Sequence, residues 1–197
     1  MYMHILKITL LSTVLLLNAC AQHPSIAPSE RPTHWGQSVD NDQNLFKISE
    51  TLYRSEQPLA EQSAQLKALG IDRIISLRSR NQTAEEFHDQ DFLLIHQPIH
   101  TWAIDRNDVL AVMRQIQDAK SQGQQVLVHC YHGSDRTGTM VAMYRILFEH
   151  WQIDDAVKEM KFGGYGFHPI WINIDKLFTQ DNIDWLKVQL NTDNPSK

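Results

Sequence analysis

The chain has 197 residues, of which 42% are hydrophobic and 21% are charged. This length provides one domain with a substantial core, and the composition excludes an intrinsically disordered protein. The formal net charge is −5 and the sequence contains no long basic run, so nucleic acid is not an expected partner.

The N-terminal segment, residues 1–19, differs from the rest of the chain. Lys7 precedes a short apolar run over residues 8–17, which predicts a secretory signal peptide because the run is too short for a comfortable membrane span. The motif Leu17-Asn18-Ala19-Cys20 resembles the lipobox of bacterial lipoproteins, in which the cysteine is lipidated and becomes the mature N-terminus. The resemblance implies a lipid anchor on Cys20 and, with Ala21 next to it, a place at the outer membrane facing the periplasm. Simple cleavage and release into the periplasm is the alternative.

Residues 20–34 are predicted to form a flexible tether. They contain Pro24, Pro28 and Pro32 and show no periodic apolar pattern. A single domain is expected over residues 35–191, followed by a short tail over 192–197, and we expect the protein to be a monomer.

Strand-like and helix-like segments alternate along this domain. The patterns predict strands at 52–54, 74–77, 92–95 and 126–128, and helices at 60–69, 107–122, 136–150, 154–160 and within 170–190. This order is typical of an α/β fold in which helices flank a mainly parallel central sheet. Functional sites of such folds lie at the carboxyl ends of the strands, and Cys130 follows the strand predicted at 126–128.

The loop between that strand and the next helix has the features of a phosphate-binding site. Cys130 and Arg136 are separated by five residues, so the loop can curl and point its backbone N–H groups at one phosphate. The N-terminus of the helix adds its positive end, and the planar guanidinium of Arg136 would bind two phosphate oxygens. The residues predicted to surround the phosphate are Tyr131, His132, Gly133, Ser134, Asp135 and Arg136.

Cys130 is the predicted nucleophile. The chain has two cysteines, and a lipid on Cys20 would leave Cys130 as a free thiol. The positive field of the loop favours the thiolate, which would attack phosphorus and form a phosphocysteine that water then hydrolyses. Thr137 is expected to donate a hydrogen bond to the departing sulfur, and His129 to orient the loop. These steps require no metal or other cofactor.

The segment from His129-Cys130 to Arg136-Thr137-Gly138 is similar to the signature loop of the protein tyrosine phosphatase superfamily. Two further segments, Leu52-Tyr53-Arg54-Ser55 with Gln57-Pro58 and Ala142-Met143-Tyr144-Arg145, resemble its bacterial dual-specificity-like branch, which includes periplasmic tyrosine phosphatases. The resemblance runs from about residue 35 to residue 166. It implies a cysteine-phosphatase (dual-specificity-like) fold and a protein-tyrosine or dual-specificity phosphatase acting on a phosphorylated protein or a small phosphomonoester.

In this superfamily an aspartate on a loop upstream of the cysteine protonates the leaving oxygen. The corresponding stretch here contains Asp105, which is the predicted general acid. Asp108 and His100 are the alternatives. A carboxylate at Asp108 also suits the first turn of the next helix, where the helix dipole favours a negative charge.

The variable residues of the loop bear on the substrate. None is Lys or Arg, whereas relatives that act on inositol phosphates commonly carry such cations there, and Asp135 would repel a highly anionic substrate. The sequence therefore favours a singly phosphorylated group such as phosphotyrosine. The choice between phosphotyrosine and phosphoserine or phosphothreonine stays open.

Two other functions would use similar features. A rhodanese-like sulfurtransferase also places a cysteine in an anion-binding loop, but the five-residue gap to Arg136, the Thr137-Gly138 pair and Asp105 favour a phosphatase. A tethered pseudophosphatase would bind phosphoproteins without turnover, and the presence of both Cys130 and Arg136 argues against it.

Overall fold

The structure, a computed structural model, describes residues 22–192. The predicted signal peptide, Cys20 and residues 193–197 of the expected tail lie outside the described residues. Within residues 22–192, no helix has the length and apolar character needed to cross a membrane.

One sheet of six strands forms the centre of the domain. The strands are β1 (Gln37–Asp40), β2 (Leu45–Lys47), β3 (Leu52–Ser55), β4 (Ile71–Ser76), β5 (Leu93–His96) and β6 (Gln125–His129). Their order is β1-β2-β3-β6-β4-β5; β3, β6, β4 and β5 are parallel, and β1 and β2 add antiparallel strands at one edge. The predicted α/β fold with a mainly parallel sheet is confirmed. Strands β1 and β2 were not predicted because they are short, and β1 is mostly exposed.

In the described part of the chain, seven α-helices connect and cover the strands: α1 (Ser63–Ala68), α2 (Gln82–Glu86), α3 (Arg106–Ser121), α4 (Asp135–Phe148), α5 (Ile153–Phe162), α6 (Ile172–Asp175) and α7 (Gln180–Thr192). The helix predicted at 60–69 begins as a 3₁₀ turn over Ala60–Gln62 before α1. The last predicted helix divides into α6 and α7. The short helix α2 was not predicted.

The central strands β3, β6 and β4 are buried on both faces: side chains alternate between the two faces along a strand, and nearly all of theirs are buried. On β6, Val126 and Val128 belong to the larger core, which also contains apolar residues of α3, α4, α5, α6 and α7. Leu127 faces the opposite side and packs in a smaller core with Leu66 of α1 and Phe87 after α2. With β6 central and buried on both faces, the residue that follows it has a rigid support.

Residues 22–34 form no long regular element, but they lie against the domain. The backbone N–H of His23 donates to the carbonyl oxygen of Phe167 at 2.9 Å, and the N–H of Ile26 donates to that of Phe162 at 3.0 Å. Arg31 donates to the hydroxyl of Tyr165 at 2.8 Å. The described part of the expected flexible tether therefore contacts the end of α5 and the loop that follows it.

Candidate active site

The loop of residues 130–134 joins β6 to the N-terminus of α4. Cys130 follows the last residue of β6 and is almost fully buried, and α4 begins at Asp135. Gly133 has a φ of +69°, and a Cβ at this position would lie 2.5 Å from the carbonyl oxygen of Ser55. The loop therefore packs directly on the carboxyl end of β3, and Gly133 permits this approach.

Arg136 is held by the ends of two neighbouring strands. Its Nη1 donates to the carbonyl oxygen of Leu77, after β4, at 3.0 Å and to that of Ile99, after β5, at 3.1 Å. A guanidinium has five N–H donors, so others stay available for a ligand. The sheet thus brings Arg136 and Cys130 to the same carboxyl edge, and it restrains the arginine side chain before any substrate binds.

His129 is a fully buried residue that supports the loop. Its Nδ1 lies 3.1 Å from the carbonyl oxygen of Cys130, which can only accept, so Nδ1 carries the proton. Its Nε2 then accepts from the hydroxyl of Thr83 at 2.9 Å. Burial lowers the pKa of His129 to about 4, and the charges of Arg78 and Arg136 act in the same direction. A neutral imidazole therefore holds the first carbonyl group of the loop.

Thr137 and Thr139 both lie buried in the first turns of α4, but their hydroxyls differ. The hydroxyl of Thr139 donates to the carbonyl oxygen of Asp135 at 2.8 Å. The hydroxyl of Thr137 has no hydrogen-bond partner among the described residues. The hydroxyl of Thr137 is thus a buried donor, close in the chain to the loop of residues 130–134, that is available to a sulfur or phosphate atom. This is compatible with the prediction that Thr137 donates to the departing sulfur.

The carboxylate of Asp135 is turned toward His168. It accepts the backbone N–H of His168 at 2.8 Å and lies 3.0 Å from Nδ1 of the imidazole. This contact could not be predicted from the sequence, because His168 lies 33 positions away on the loop before α6. This contact weakens the predicted repulsion of a phosphorylated substrate by Asp135, since its negative charge has a partner.

The remaining loop residues are two exposed ones, Tyr131 and His132, and the buried Ser134. Tyr131 and His132 are exposed, and the guanidinium of Arg78 lies 4.8 Å from the centre of the Tyr131 ring. Ser134 is buried, and its hydroxyl donates to the carbonyl oxygen of His132 at 3.3 Å. The amide of Asn44, in the turn between β1 and β2, donates to the same carbonyl oxygen at 2.9 Å. The unpredicted edge hairpin thus braces the loop.

The three candidates for the general acid lie close together in the chain. Asp105 is the N-cap of α3, and its side chain accepts the backbone N–H groups of Asn107 and Asp108. The side chain of Asp108 accepts the N–H of Asp105 at 3.0 Å. His100 stacks on the exposed ring of Trp102 at 4.7 Å, and its Nδ1 lies 3.3 Å from the hydroxyl of Ser79.

Residues 52–169 match the dual specificity phosphatase catalytic domain. The chain belongs to this phosphatase family. It is 37% identical to the dual specificity protein phosphatase TpbA of Pseudomonas aeruginosa over 144 residues, which are 73% of this chain and 65% of TpbA. It is also 28% identical to human dual specificity protein phosphatase 26 over 147 residues, 71% of this chain and 69% of that protein. The match to TpbA thus spans less than two thirds of that relative's length.

Solved structures show the same relationship. A cysteine-to-serine variant of P. aeruginosa TpbA in complex with pTyr superimposes with a TM-score of 0.75 at 32% identity, over 82% of this chain and 98% of that one. The match to the dual specificity phosphatase catalytic domain covers β3, β4, β5 and β6 and the loop that contains Cys130. Membership in this family does not favour the sulfurtransferase alternative.

Proposed function

We propose that this protein is a cysteine-dependent phosphomonoester hydrolase, a protein-tyrosine or dual-specificity phosphatase that acts through a phosphocysteine. One observation carries the proposal: Cys130 begins the loop and Arg136 lies in the first turn of α4 that follows it, both at the carboxyl edge of the sheet, and the carbonyl groups of Leu77 and Ile99 restrain the arginine. The loop N–H groups, the N-terminus of α4 and Arg136 together favour a bound phosphate dianion.

The chemistry proceeds in two displacements. The thiolate of Cys130 attacks phosphorus, the P–O bond to the substrate breaks, and the leaving oxygen takes a proton from the general acid. Water then attacks the phosphocysteine, transfers a proton to the same carboxylate, and the P–S bond breaks. Thr137 donates its free hydroxyl hydrogen to the departing sulfur. No cofactor takes part in these steps.

Asp105 is our assignment for the general acid. The carbonyl oxygen of Ile99 accepts a hydrogen bond from Arg136, and Asp105 lies six residues further along the same segment. Its side chain is exposed. Hydrogen bonds to its carboxylate favour the ionised form in the free protein. A bound phosphate dianion acts in the opposite direction, because a like charge disfavours ionisation and raises the pKa of a nearby carboxyl.

Phosphotyrosine is the substrate group that the comparisons and the rim of the site support. TpbA, to which this chain is similar, was crystallised with pTyr. The exposed rings of Tyr131 and Trp102 offer aromatic surface near the loop. An open cavity of about 530 Å³, lined by His132 and Ser134 among others, lies beside the loop and has room for residues that flank a phosphorylated side chain. A phosphorylated protein is therefore a better fit than an isolated phosphomonoester.

We also propose that the protein is exported and anchored in the outer membrane by a lipid on Cys20, facing the periplasm, and that it is a monomer. The apolar run and the lipobox-like motif support this proposal. Metabolic labelling with a radioactive fatty acid tests it: wild type is expected to incorporate label and sediment with membranes. Label in a Cys20→Ala variant, or none in wild type, would contradict it.

The decisive experiment is hydrolysis of p-nitrophenyl phosphate and a phosphotyrosine peptide by the purified full chain in the presence of EDTA. Activity is expected for wild type and Cys20→Ala, and none for Cys130→Ser, because serine is a far weaker nucleophile in this site. Absence of turnover by reduced, folded wild type on both substrates would overturn the proposal. Phosphopeptide binding in that case would support the pseudophosphatase alternative.

A further inference from the structure

Arg54 is a buried cation directly behind the phosphate loop. It lies in β3 beside β6, and its side chain has no exposed surface. Its Nη2 donates to the carbonyl oxygen of Gly133 and, at 3.5 Å, to that of Ser134. In a trans peptide the C=O and the following N–H point in opposite directions. The N–H groups of Ser134 and Asp135 therefore point away from Arg54.

No carboxylate pairs with Arg54 among residues 22–192, although a buried charge without a counter-ion is costly. Its Nε and Nη1 have no acceptor there. The ring of Tyr165 lies 3.8 Å from the guanidinium carbon, which supplies a cation–π contact. Glu159, on α5, is already occupied by Arg145 at 2.9 Å and by the hydroxyl of Tyr165 at 3.0 Å.

Three residues near Arg54 can carry a negative charge: Tyr165, Glu159 and Cys130. Burial lowers the pKa of Arg54; negative charge on Tyr165, Glu159 or Cys130 raises it, and the cation of Arg31 lowers it. Burial raises the pKa of Tyr165, which stays neutral, and Glu159 has its own ion pair. Cys130 is the remaining member of this set, so a negative charge formed on its sulfur during the reaction would be attracted to Arg54.

Other cations act on His129, the neighbour of Cys130 in the chain. They are Arg136 on α4 and Arg78 after β4, and both favour the neutral form of this buried histidine. Arg78 is occupied at the rim by Gln57, to which it donates at 3.0 Å. Arg136 approaches from the side of β4 and β5, whereas Arg54 lies on β3.

We propose that Arg54 is a positioning residue of the phosphate site, which acts through the loop without touching the substrate. It holds the carbonyl group of Gly133 toward the interior and adds a weaker contact to that of Ser134, which also accepts the N–H of Gly138 at 2.7 Å, so that the following N–H groups face the phosphate. It also supplies a second positive charge, besides Arg136, for the thiolate and the bound anion. This inference rests on the proposed phosphatase function and deepens it.

The test compares Arg54→Met with Arg73→Met in the full chain. Arg73 is an equally buried arginine on β4, but it donates to Gln115 and Asp118 on α3, away from the loop. Two readouts need no turnover: the rate of Cys130 alkylation by iodoacetamide at about pH 6, and the affinity for inorganic phosphate by calorimetry. Cys20→Ala is the background, so that one thiol is labelled.

Arg54→Met is expected to slow alkylation and to weaken phosphate binding, each by about tenfold, because one charge-assisted interaction is lost. Arg73→Met should leave both quantities at the wild-type level even if its melting temperature falls. Arg54→Lys keeps the charge and loses the planar fork, so alkylation should recover more than phosphate binding does.

A folded Arg54→Met variant with wild-type alkylation and phosphate affinity would overturn the inference and leave Arg54 a purely structural role. If Arg54→Met does not fold, Arg54→Lys carries the test: phosphate affinity equal to wild type would overturn the inference. Failure of the proposed function is a separate result, since it shows as absent hydrolysis by wild type whatever the alkylation rates are.

Discussion

Asp105 and Asp108 cap the N-terminus of α3 for each other. The side chain of Asp105 accepts the N–H of Asp108 at 3.1 Å, and the side chain of Asp108 accepts the N–H of Asp105 at 3.0 Å. Burial acts to raise the pKa of Asp105, but the N–H groups of Asp108 and Asn107 outweigh it and lower its pKa. Burial raises the pKa of Asp108. The carboxylate of Asp105 therefore has a structural role as the N-cap of α3 and a proposed catalytic role as the general acid.

Asp105→Asn separates these two roles, because asparagine is as good an N-cap as aspartate but cannot supply the proton. We expect kcat on a phosphotyrosine peptide to fall about a hundredfold, with a smaller loss on p-nitrophenyl phosphate, whose leaving group needs no proton. Melting temperature should stay close to that of wild type. Asp108→Asn and His100→Asn are the matched variants, and a larger loss in either one would move the assignment to that residue.

Gly133→Ala should damage the site, and Gly123→Ala is its control. Both glycines have a φ near +70°, but a Cβ at Gly123 meets nothing within 4 Å, whereas one at Gly133 meets the backbone of Ser55 at 2.5 Å. The backbone cost, roughly 1–2 kcal/mol, is common to both. We expect normal kinetics for Gly123→Ala and at least about a tenfold rise in KM for Gly133→Ala. Equal kinetics in the two variants would show that the loop tolerates displacement from β3.

Because His129 is buried and neutral, we expect the free energy of unfolding to decrease as the pH is lowered. Its pKa is about 4 in the folded protein, against 6.5 as the ordinary value. Between these values the unfolded chain binds a proton that the folded protein does not, so the free energy of unfolding decreases as pH falls from about 6.5 to 4. The total change from this residue is on the order of 3 kcal/mol.

Urea unfolding at several pH values measures this dependence. A His129→Gln variant should show a flatter dependence in that window, and the exposed His88→Gln is the control because its side chain lies at the surface. Identical slopes for wild type and His129→Gln would contradict the assignment of a neutral, buried imidazole.

His168 should influence substrate affinity through Asp135. Removing the imidazole in His168→Ala leaves the Asp135 carboxylate without a side-chain partner beside the phosphate loop. We expect KM for p-nitrophenyl phosphate to rise about threefold with little change in kcat, because the added repulsion acts on the dianion when it binds. In the double variant with Asp135→Asn the KM should return toward wild type. A KM that does not respond to either change would rule out this coupling.

The proposed roles of the loop residues could largely be predicted from the sequence. Cys130, Arg136 and the five residues between them are close in the chain, so the predicted strand and helix on either side already place them around one anion. The alternation of strands and helices likewise predicted the parallel sheet. The short elements were not predictable, because β1 and α2 carry too few periodic apolar residues to differ from loops.

The contacts that support the loop could not be predicted, because each comes from a distant part of the chain. The sequence favoured a bracing role for Tyr53-Arg54-Ser55, but it did not indicate which carbonyl group Arg54 would meet. Asn44 reaches the carbonyl group of His132 across 88 positions, and Thr83 reaches His129 across 46. Arg54 lies 79 positions from Gly133. Sequence periodicity describes which face of an element is buried, but it does not say which polar side chain on another element will meet a given carbonyl group.

The sequence by itself therefore determined the fold class and predicted Cys130 as the nucleophile and Arg136 as the phosphate-binding arginine, since these depend on hydrophobic pattern and on local spacing. The tertiary structure decided which groups restrain them: Leu77 and Ile99 on Arg136, Thr83 on His129, and Arg54 behind Gly133. These contacts form only when the strands assemble in the order β3-β6-β4-β5, which brings their carboxyl ends to a common edge.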